Sequence, residues 1–228
     1  METKLFNAPN GQFDIGYYVF LPEDYSPEKK YPMVVFLHGA GERGNGKDEL
    51  QKIQKHALPK YAAAGKKFPF ILLCPQCPGR IVWNNIVFEL KALIDKVTQE
   101  YNADMSRIAI TGISMGGFGT WEMGLTFSNY FCAIAPVCGG GLSWRCSNLK
   151  NTPVWALHGD ADGTVPPKNS IEMVEAVNKN GGNAKLTLFH DVGHDSWDNA
   201  YKETTVLDWL LSHKREDFSK NKEAFDEF

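Results

Sequence analysis

Short apolar runs recur along the chain at lengths typical of β-strands. Within each run the apolar residues do not alternate with polar ones, which is the pattern of strands buried on both faces of a parallel sheet. The predicted strands cover residues 17–21, 32–37, 70–74, 107–111, 131–135, 154–157 and 184–189.

Between these runs, apolar residues recur at three- and four-residue spacing, as on one face of an α-helix. The predicted helices cover residues 87–101, 115–127, 169–178 and 200–213, and residues 42–65 are polar at first and then weakly helical. Alternating strands and helices need crossover connections. The pattern therefore predicts an α/β fold, with a mostly parallel central sheet and helices on both faces.

A chain of 228 residues is long enough for one domain with a sizeable core. No internal repeat and no linker rich in Pro, Gly or Ser divides it. We therefore predict a single domain over residues 1–213, followed by a charged C-terminal tail over residues 214–228.

The formal net charge of −3 gives no basic footprint for nucleic acid or for an anionic membrane. No apolar run approaches the roughly 20 residues that span a bilayer, so membrane insertion is not expected. The first residues lack the basic and apolar segments of a signal peptide, which favours a cytoplasmic location, although an exported chain trimmed of its signal would look the same. Nothing in the sequence indicates the oligomeric state.

The odd number of cysteines, five, argues against a disulfide framework. Cys74 and Cys77 have the spacing of a metal knuckle or redox pair, but no second Cys/His pair stands at zinc-finger distance. We expect buried structural thiols, with a Cys138–Cys146 bridge as the alternative in an oxidising compartment. Neither a metal nor an organic cofactor is expected.

The clearest chemical signal is the segment Gly112-Ile113-Ser114-Met115-Gly116, a G-x-S-x-G pattern. It follows the buried strand 107–111 and opens the helical pattern 115–127. That context is the tight strand-to-helix turn that presents a nucleophilic serine above a sheet, so Ser114 is the predicted nucleophile.

A serine hydroxyl needs a base and an orienting acid, which in this kind of fold follow the serine in the order acid, then histidine. Asp160 and Asp162 follow the strand 154–157 and compete for the role of acid, with Asp195 a distant third. His194 is preferred as the base over His190, because His190 stands where the last strand still runs.

Acyl transfer also needs donors for the oxyanion of the tetrahedral intermediate. The backbone N–H of Met115, directly after the nucleophile, supplies one. The second is expected from Ala40, in the His38-Gly39-Ala40-Gly41 loop that follows the strand 32–37.

These blocks resemble the α/β-hydrolase superfamily, and within it the phospholipase/carboxylesterase and dienelactone-hydrolase-like group, including bacterial proteins described as predicted peptidases or esterases. The resemblance rests on residues 34–44, 112–117, 158–166 and 193–197. The family's H-G-x-x-D-x-x-V-P block implies that the acid is Asp162, and its G-H-x-x-W block supports His194. The resemblance implies an α/β-hydrolase fold, here without a lid domain, because only about 35 residues separate the elbow helix from the Asp162 loop.

An open cleft suits soluble short-chain esters, or acetyl and feruloyl esters carried by polysaccharides, which family members hydrolyse. Tryptophans near strand ends, Trp83, Trp144 and Trp197, are candidate platforms for a sugar or phenolic group, and Gln76 is a candidate cleft residue. The predicted activity is that of a serine carboxylic-ester hydrolase. A dienelactone-type lactonase or a serine peptidase is the alternative, and a non-catalytic binding protein is disfavoured because none of Ser114, Asp162 and His194 is lost.

Overall fold

The structure, a computed structural model, describes residues 2–7 and 13–215. Its strands, in chain order, are β1 (Glu2–Asn7), β2 (Asp14–Phe20), β3 (Tyr31–Leu37), β4 (Ile71–Pro75), β5 (Ala103–Ile113), β6 (Ala133–Val137), β7 (Val154–Gly159) and β8 (Ala184–Phe189). Its α-helices are α1 (Ala57–Ala63), α2 (Val87–Glu100), α3 (Met115–Thr126), α4 (Lys168–Lys179) and α5 (Val206–Ser212).

The eight strands form a single sheet in the order β1-β2-β4-β3-β5-β6-β7-β8. The pairs β1–β2 and β2–β4 are antiparallel, and the remaining pairs are parallel. The carboxyl ends of β3, β5, β7 and β8 therefore meet at one edge of the sheet, where ligands bind in open α/β folds. The predicted mostly parallel α/β sheet is confirmed.

The central strand β3 shows why its sequence is apolar throughout. Met33, Val35 and Leu37 belong to a core shared with α2, α3 and α4, whereas Val34 and Phe36 belong to a second core shared with α1 and α5. A strand covered by helices on both faces buries consecutive residues, which is the physical reason for the unbroken apolar run.

The secondary structure differs from the prediction at two places. Strand β1 was not predicted, because it lies at the sheet edge, where only Phe6 among its residues is buried, and so it has no apolar run. The predicted helix over 200–213 is broken into a π-helical turn, Asn199–Glu203, and α5. Thr204 is extended at the break, and its hydroxyl donates to the carbonyl of Ala200 at 2.6 Å and accepts from the N–H of Val206 at 3.1 Å.

The chain between α3 and the Asp162 loop consists of β6, a 3₁₀ helix, Ser143–Leu149, and β7, so these residues form no lid domain, as predicted. Of the predicted tail, Arg215 binds the backbone carbonyls of Met105 and Asn129, and residues 216–228 lie outside the described residues. None of the described helices is both long and apolar enough to span a bilayer.

Candidate active site

Ser114 occupies the turn between β5 and α3, with the positive φ of 54° and a ψ of −118°. This backbone conformation is costly for a residue with a side chain and is typical of functional turns. The flanking glycines are sterically required. A Cβ on Gly116 would lie 2.0 Å from the carbonyl oxygen of Leu37, and one on Gly112 would lie 2.5 Å from the carbonyl oxygen of Gly116.

The structure brings the three predicted triad residues into one hydrogen-bonded chain. Ser114 Oγ lies 2.8 Å from Nε2 of His194, and Nδ1 of His194 lies 2.7 Å from Oδ2 of Asp162. Ser114 follows β5, Asp162 follows β7, and His194 follows β8, so all three residues lie at the carboxyl edge of the sheet. The distances are those at which a general base can take a proton from a hydroxyl.

Asp162 is held as an anion by its hydrogen bonds. Its side chain is fully buried, and burial alone would raise its pKa. The hydrogen bond from His194 and those from the backbone N–H groups of Val165 and Thr164, both 2.9 Å from Oδ1, outweigh burial and lower the pKa of Asp162. A buried carboxylate so held can orient the histidine and stabilise its charged form.

Asp160 and His190, the competing candidates for acid and base, lie outside the hydrogen-bonded triad. Asp160 pairs with His190 at 3.0 Å, and the exposed fraction of the His190 side chain is 86%. Together with Asp191 they form a group whose ligand atoms lie within 4.8 Å of one another, the only such group in the part of the chain that the structure describes. Both ring nitrogens of His190 lie within 4 Å of these carboxylates, and all three residues are exposed.

Ala40 and Met115, the predicted oxyanion donors, have equivalent positions. Ala40 is the first residue of a 3₁₀ helix, Ala40–Glu42, and Met115 is the first residue of α3. First-turn N–H groups have no acceptor within their own helix, so both are available to an external oxygen. The two helices start at the carboxyl ends of the neighbouring strands β3 and β5.

Hydrogen bonds of His38 hold the loop that carries Ala40 in position. The ring of His38 is 1% exposed, its Nδ1 lies 2.6 Å from the carbonyl oxygen of Gly39, and its Nε2 accepts the N–H of Cys77 at 2.9 Å. Burial lowers the pKa of His38 to about 4. The ring is therefore neutral, and its two hydrogen bonds connect the loop after β3 to the loop after β4.

Two predicted cleft residues are instead part of this support. Trp83 is fully buried, and its Nε1–H donates to the carbonyl of His38 at 3.0 Å. Gln76 is 1% exposed, and its side-chain amide binds the backbone of Glu42, Gly46 and Glu49. Neither side chain reaches solvent, so the prediction that they contact substrate is wrong. Their polar groups form hydrogen bonds with backbone groups of nearby loops. The sequence alone does not show that these loops lie next to them.

The other two tryptophans reach the surface. The ring centroid of Trp197 lies 5.9 Å from that of His194 and 5.1 Å from that of His56. Trp197 forms part of an open cleft of about 480 Å³, whose other lining residues are His56, Asp191, Val192, Gly193, Asp195, Asp198 and Asn199. Trp144 is 79% exposed and lies in the 3₁₀ helix Ser143–Leu149 that follows β6. Only Trp197 of the four candidates contacts a triad residue.

Some residues of the site were not found from the sequence. Glu42 is 4% exposed and lies 3.7 Å from His56, and the Sγ of Cys138 accepts the N–H of Ser114 at 3.2 Å. Burial raises the pKa of Cys138 to about 12, so its thiol stays protonated. Glu42 has a sequence signal, since it directly follows the Gly39-Ala40-Gly41 loop, whereas Cys138 has none.

The five cysteines are free and buried, which fits the structural role expected of them, and the Cys138–Cys146 bridge is not formed.

Comparison with known proteins identifies the family of this chain. Residues 81–205, more than half of the chain, match the family described as phospholipase/carboxylesterase. The chain belongs to this family. A solved structure described as a thermostable esterase is 33% identical, with a TM-score of 0.81 over 94% of this chain and 63% of that one.

Two curated relatives extend the comparison. A probable feruloyl esterase C from Aspergillus terreus is 27% identical over 73% of this chain and 62% of its own. A probable dipeptidyl-aminopeptidase B from Ajellomyces capsulatus is 26% identical over 93% of this chain and 27% of its own. The chain spans less than half the length of the curated relatives that it matches first.

Proposed function

We propose that this protein is a serine carboxylic-ester hydrolase that acts through an acyl-enzyme on short-chain or carbohydrate-linked esters, of the acetyl or feruloyl type. The observation that carries the proposal is the unbroken hydrogen-bond chain from Ser114 through His194 to Asp162. Nucleophile, base and orienting acid are thereby in contact, as acyl transfer requires.

The reaction has two steps. His194 Nε2 removes the proton of Ser114 Oγ as the oxygen attacks the ester carbonyl, and the N–H groups of Ala40 and Met115 bind the oxyanion. His194 then returns the proton to the leaving alcohol. Water repeats the cycle on the acyl-enzyme, while Asp162 keeps the imidazole oriented and stabilises its positive charge.

The surroundings of His194 support an alcohol portion that carries hydroxyl groups. The chain neighbours of His194, the residue assigned to protonate the leaving alcohol, line an open cleft, and we assign this cleft to the alcohol portion of the substrate. That cleft combines the ring of Trp197 with the carboxylates of Asp195 and Asp198 and the amide of Asn199. An indole face and hydrogen-bonding oxygens suit a sugar, and the similarity to a probable feruloyl esterase supports the same substrate class.

Hydrolysis of peptide bonds is the second candidate. It is favoured by the similarity to a probable dipeptidyl-aminopeptidase B, which extends over 93% of this chain. A lactonase would use the same triad. A panel of acetyl, butyryl and feruloyl esters, a dienelactone and aminoacyl p-nitroanilides separates these activities, and the proposal expects the highest kcat/KM on an ester.

The central test is Ser114→Ala, with Ser212→Ala on the exposed end of α5 as the matched control. Loss of the nucleophile should lower p-nitrophenyl acetate hydrolysis by roughly 10⁴-fold or more, with the fold intact by circular dichroism. A fluorophosphonate probe should label the wild-type protein and Ser212→Ala but not Ser114→Ala. Wild-type turnover by Ser114→Ala would refute the assignment.

A further inference from the structure

A second histidine contacts the triad acid. His158 lies near the end of β7, its side chain is fully buried, and the mechanism above does not use it. Its Nε2 lies 2.9 Å from the carbonyl oxygen of Val165 and 3.2 Å from Oδ2 of Asp162. Its Nδ1 lies 2.8 Å from Oγ of Ser170, on α4.

The partners of His158 determine where its proton lies. A backbone carbonyl and an ionised carboxylate can only accept hydrogen bonds, so Nε2 must carry a proton. In the neutral ring, Nδ1 then accepts the hydroxyl proton of Ser170. In the charged ring, Nδ1 donates to Ser170, whose proton goes to the carbonyl of Gly139 at 3.0 Å. In both states Nε2–H points at Val165 and Asp162.

This donor completes the surroundings of Asp162. Two backbone N–H groups fix Oδ1, and Oδ2 accepts from both His194 and His158. A carboxylate has about four acceptor positions, and all four are used here. The terminal torsion of an aspartate is soft, so a second donor on Oδ2 restricts its rotation while the His194 ring gains and loses its proton.

We propose that His158 is a positioning residue that holds Oδ2 of Asp162 in the plane of the His194 ring. The inference rests on the proposed function, because it assigns His158 a role only through the triad acid. It also explains why a polar ring is buried at this point of the sheet. The ring connects β7, the loop of Asp162 and α4, which follow one another along the chain.

The test compares His158→Leu, which removes the donor, with His158→Gln, whose side-chain amide can donate from nearly the same place. We expect His158→Leu to lower kcat for p-nitrophenyl acetate about tenfold or more with KM within about twofold of the wild type. His158→Gln should recover most of the loss. Equal kcat in the two variants, or no loss in either, would overturn the proposal.

A double-mutant cycle separates positioning from general destabilisation. If His158 acts through Asp162, then His158→Leu should slow fluorophosphonate labelling of Ser114 in the wild-type background but hardly at all in an Asp162→Ala background. The same fold-loss in both backgrounds would show a purely structural role and contradict the proposal.

A measurement on the unmodified residue keeps the test valid if His158→Leu does not fold. In protein labelled with ¹⁵N-histidine, NMR should show the proton of His158 on Nε2, and Asp162→Ala should shift that resonance. A proton on Nδ1 alone, with Nε2 free, would overturn the proposal. Failure of the proposed function is a separate result, since it would appear as wild-type activity in Ser114→Ala whatever the behaviour of His158.

Discussion

His38 is kept neutral by two hydrogen bonds that require opposite roles of its ring nitrogens. Nδ1 must donate, because it faces the carbonyl of Gly39, and Nε2 must accept, because it faces the N–H of Cys77. Protonation would place a second hydrogen against the Cys77 N–H inside the protein. The geometry thus agrees with the pKa of about 4 that burial gives this ring.

The stability of the fold should therefore depend on pH through His38. In the unfolded chain a histidine has a pKa of roughly 6.5 and takes up a proton below that pH, whereas the folded His38 ring takes one up only near pH 4. The free energy of unfolding therefore falls as the pH falls from about 6.5 to about 4. Between pH 6.5 and 5 this one group should lower the free energy of unfolding by about 1.5 kcal/mol.

Urea unfolding of the wild type and of His38→Gln at several pH values measures this contribution. The variant should be less stable at pH 7, yet lose less further stability on acidification. Parallel pH profiles of the two proteins would contradict the assignment.

Trp197 and Trp83 should respond differently to substitution, because one lines the cleft and the other is buried beneath the Ala40 loop. Aromatic contacts contribute ~0.5–1.5 kcal/mol, so Trp197→Ala should raise KM for a carbohydrate-linked ester about 3- to 10-fold. The KM for p-nitrophenyl acetate should change less.

Trp83→Phe is the matched variant, since it keeps a ring but removes the donor to His38. It should lower the free energy of unfolding by about 1 kcal/mol and leave KM for both substrates nearly unchanged. An increase in KM limited to Trp83→Phe would reverse the assignment of the two residues.

The contact of β3, β5 and α3 determines the shape of the elbow. Helix α3 begins directly above the end of β3, and the approach is possible only because Gly116 has no side chain where it meets Leu37. The same contact places the N-terminus of α3, with Met115, next to the loop of Ala40. The short G-x-S-x-G pattern therefore depends on strand β3, which lies about 80 residues earlier in the chain.

Gly116→Ala should damage both stability and activity. The added methyl group would meet the carbonyl of Leu37 at 2.0 Å, and backbone cannot move aside cheaply. Such overpacking costs ~1–3 kcal/mol, measured as a shift of the urea midpoint, and kcat should fall because Ser114 moves with the turn.

Gly79→Ala is the control, since no heavy atom outside residues 78–80 lies within 4 Å of the position of its added Cβ and its φ is not in the left-handed region. It should behave as the wild type in both assays. Equal effects of the two substitutions would show that the loss comes from glycine removal in general rather than from the elbow.

The molecule as a whole places its chemistry at one edge of a rigid sheet. The two helical layers bury that sheet on both faces, and each triad residue lies in a connection just beyond a strand. The last described residue contributes to the opposite part of the fold. The backbone N–H of Arg215 binds the carbonyl of Ser106 at 2.9 Å, and its side chain binds Met105 and Asn129.

Two truncations test where the domain ends. A chain that stops after Arg215 keeps the sheet, both cores and these three hydrogen bonds, so it should retain wild-type kcat/KM. A chain that stops after His213 loses the bonds of Arg215 and should unfold with a free energy lower by ~1–3 kcal/mol. Equal urea midpoints of the two chains would place the end of the domain at residue 213.

The pattern of residues was enough to predict seven of the eight described strands, most of the helices around them and the turn that carries Ser114. Strands buried on both faces leave unbroken apolar runs, and the elbow requires glycines at fixed spacing, so both features are local. Edge strand β1 was not predicted, because it is only partly buried and so has no apolar pattern. The helix break at Thr204 was not predicted, because a side-chain hydrogen bond leaves no periodic signal in the sequence.

Which polar side chains share the site became clear from the three-dimensional fold. Asp160 and Asp162 are equivalent on spacing alone, and their partners, His190 and His194, come from a different loop. Trp83 is near a strand end in sequence yet buried in space, and His158 reaches Asp162 only because the loop between them folds back. Contacts between distant segments depend on where each loop closes, and that information is not contained in the pattern of any one segment.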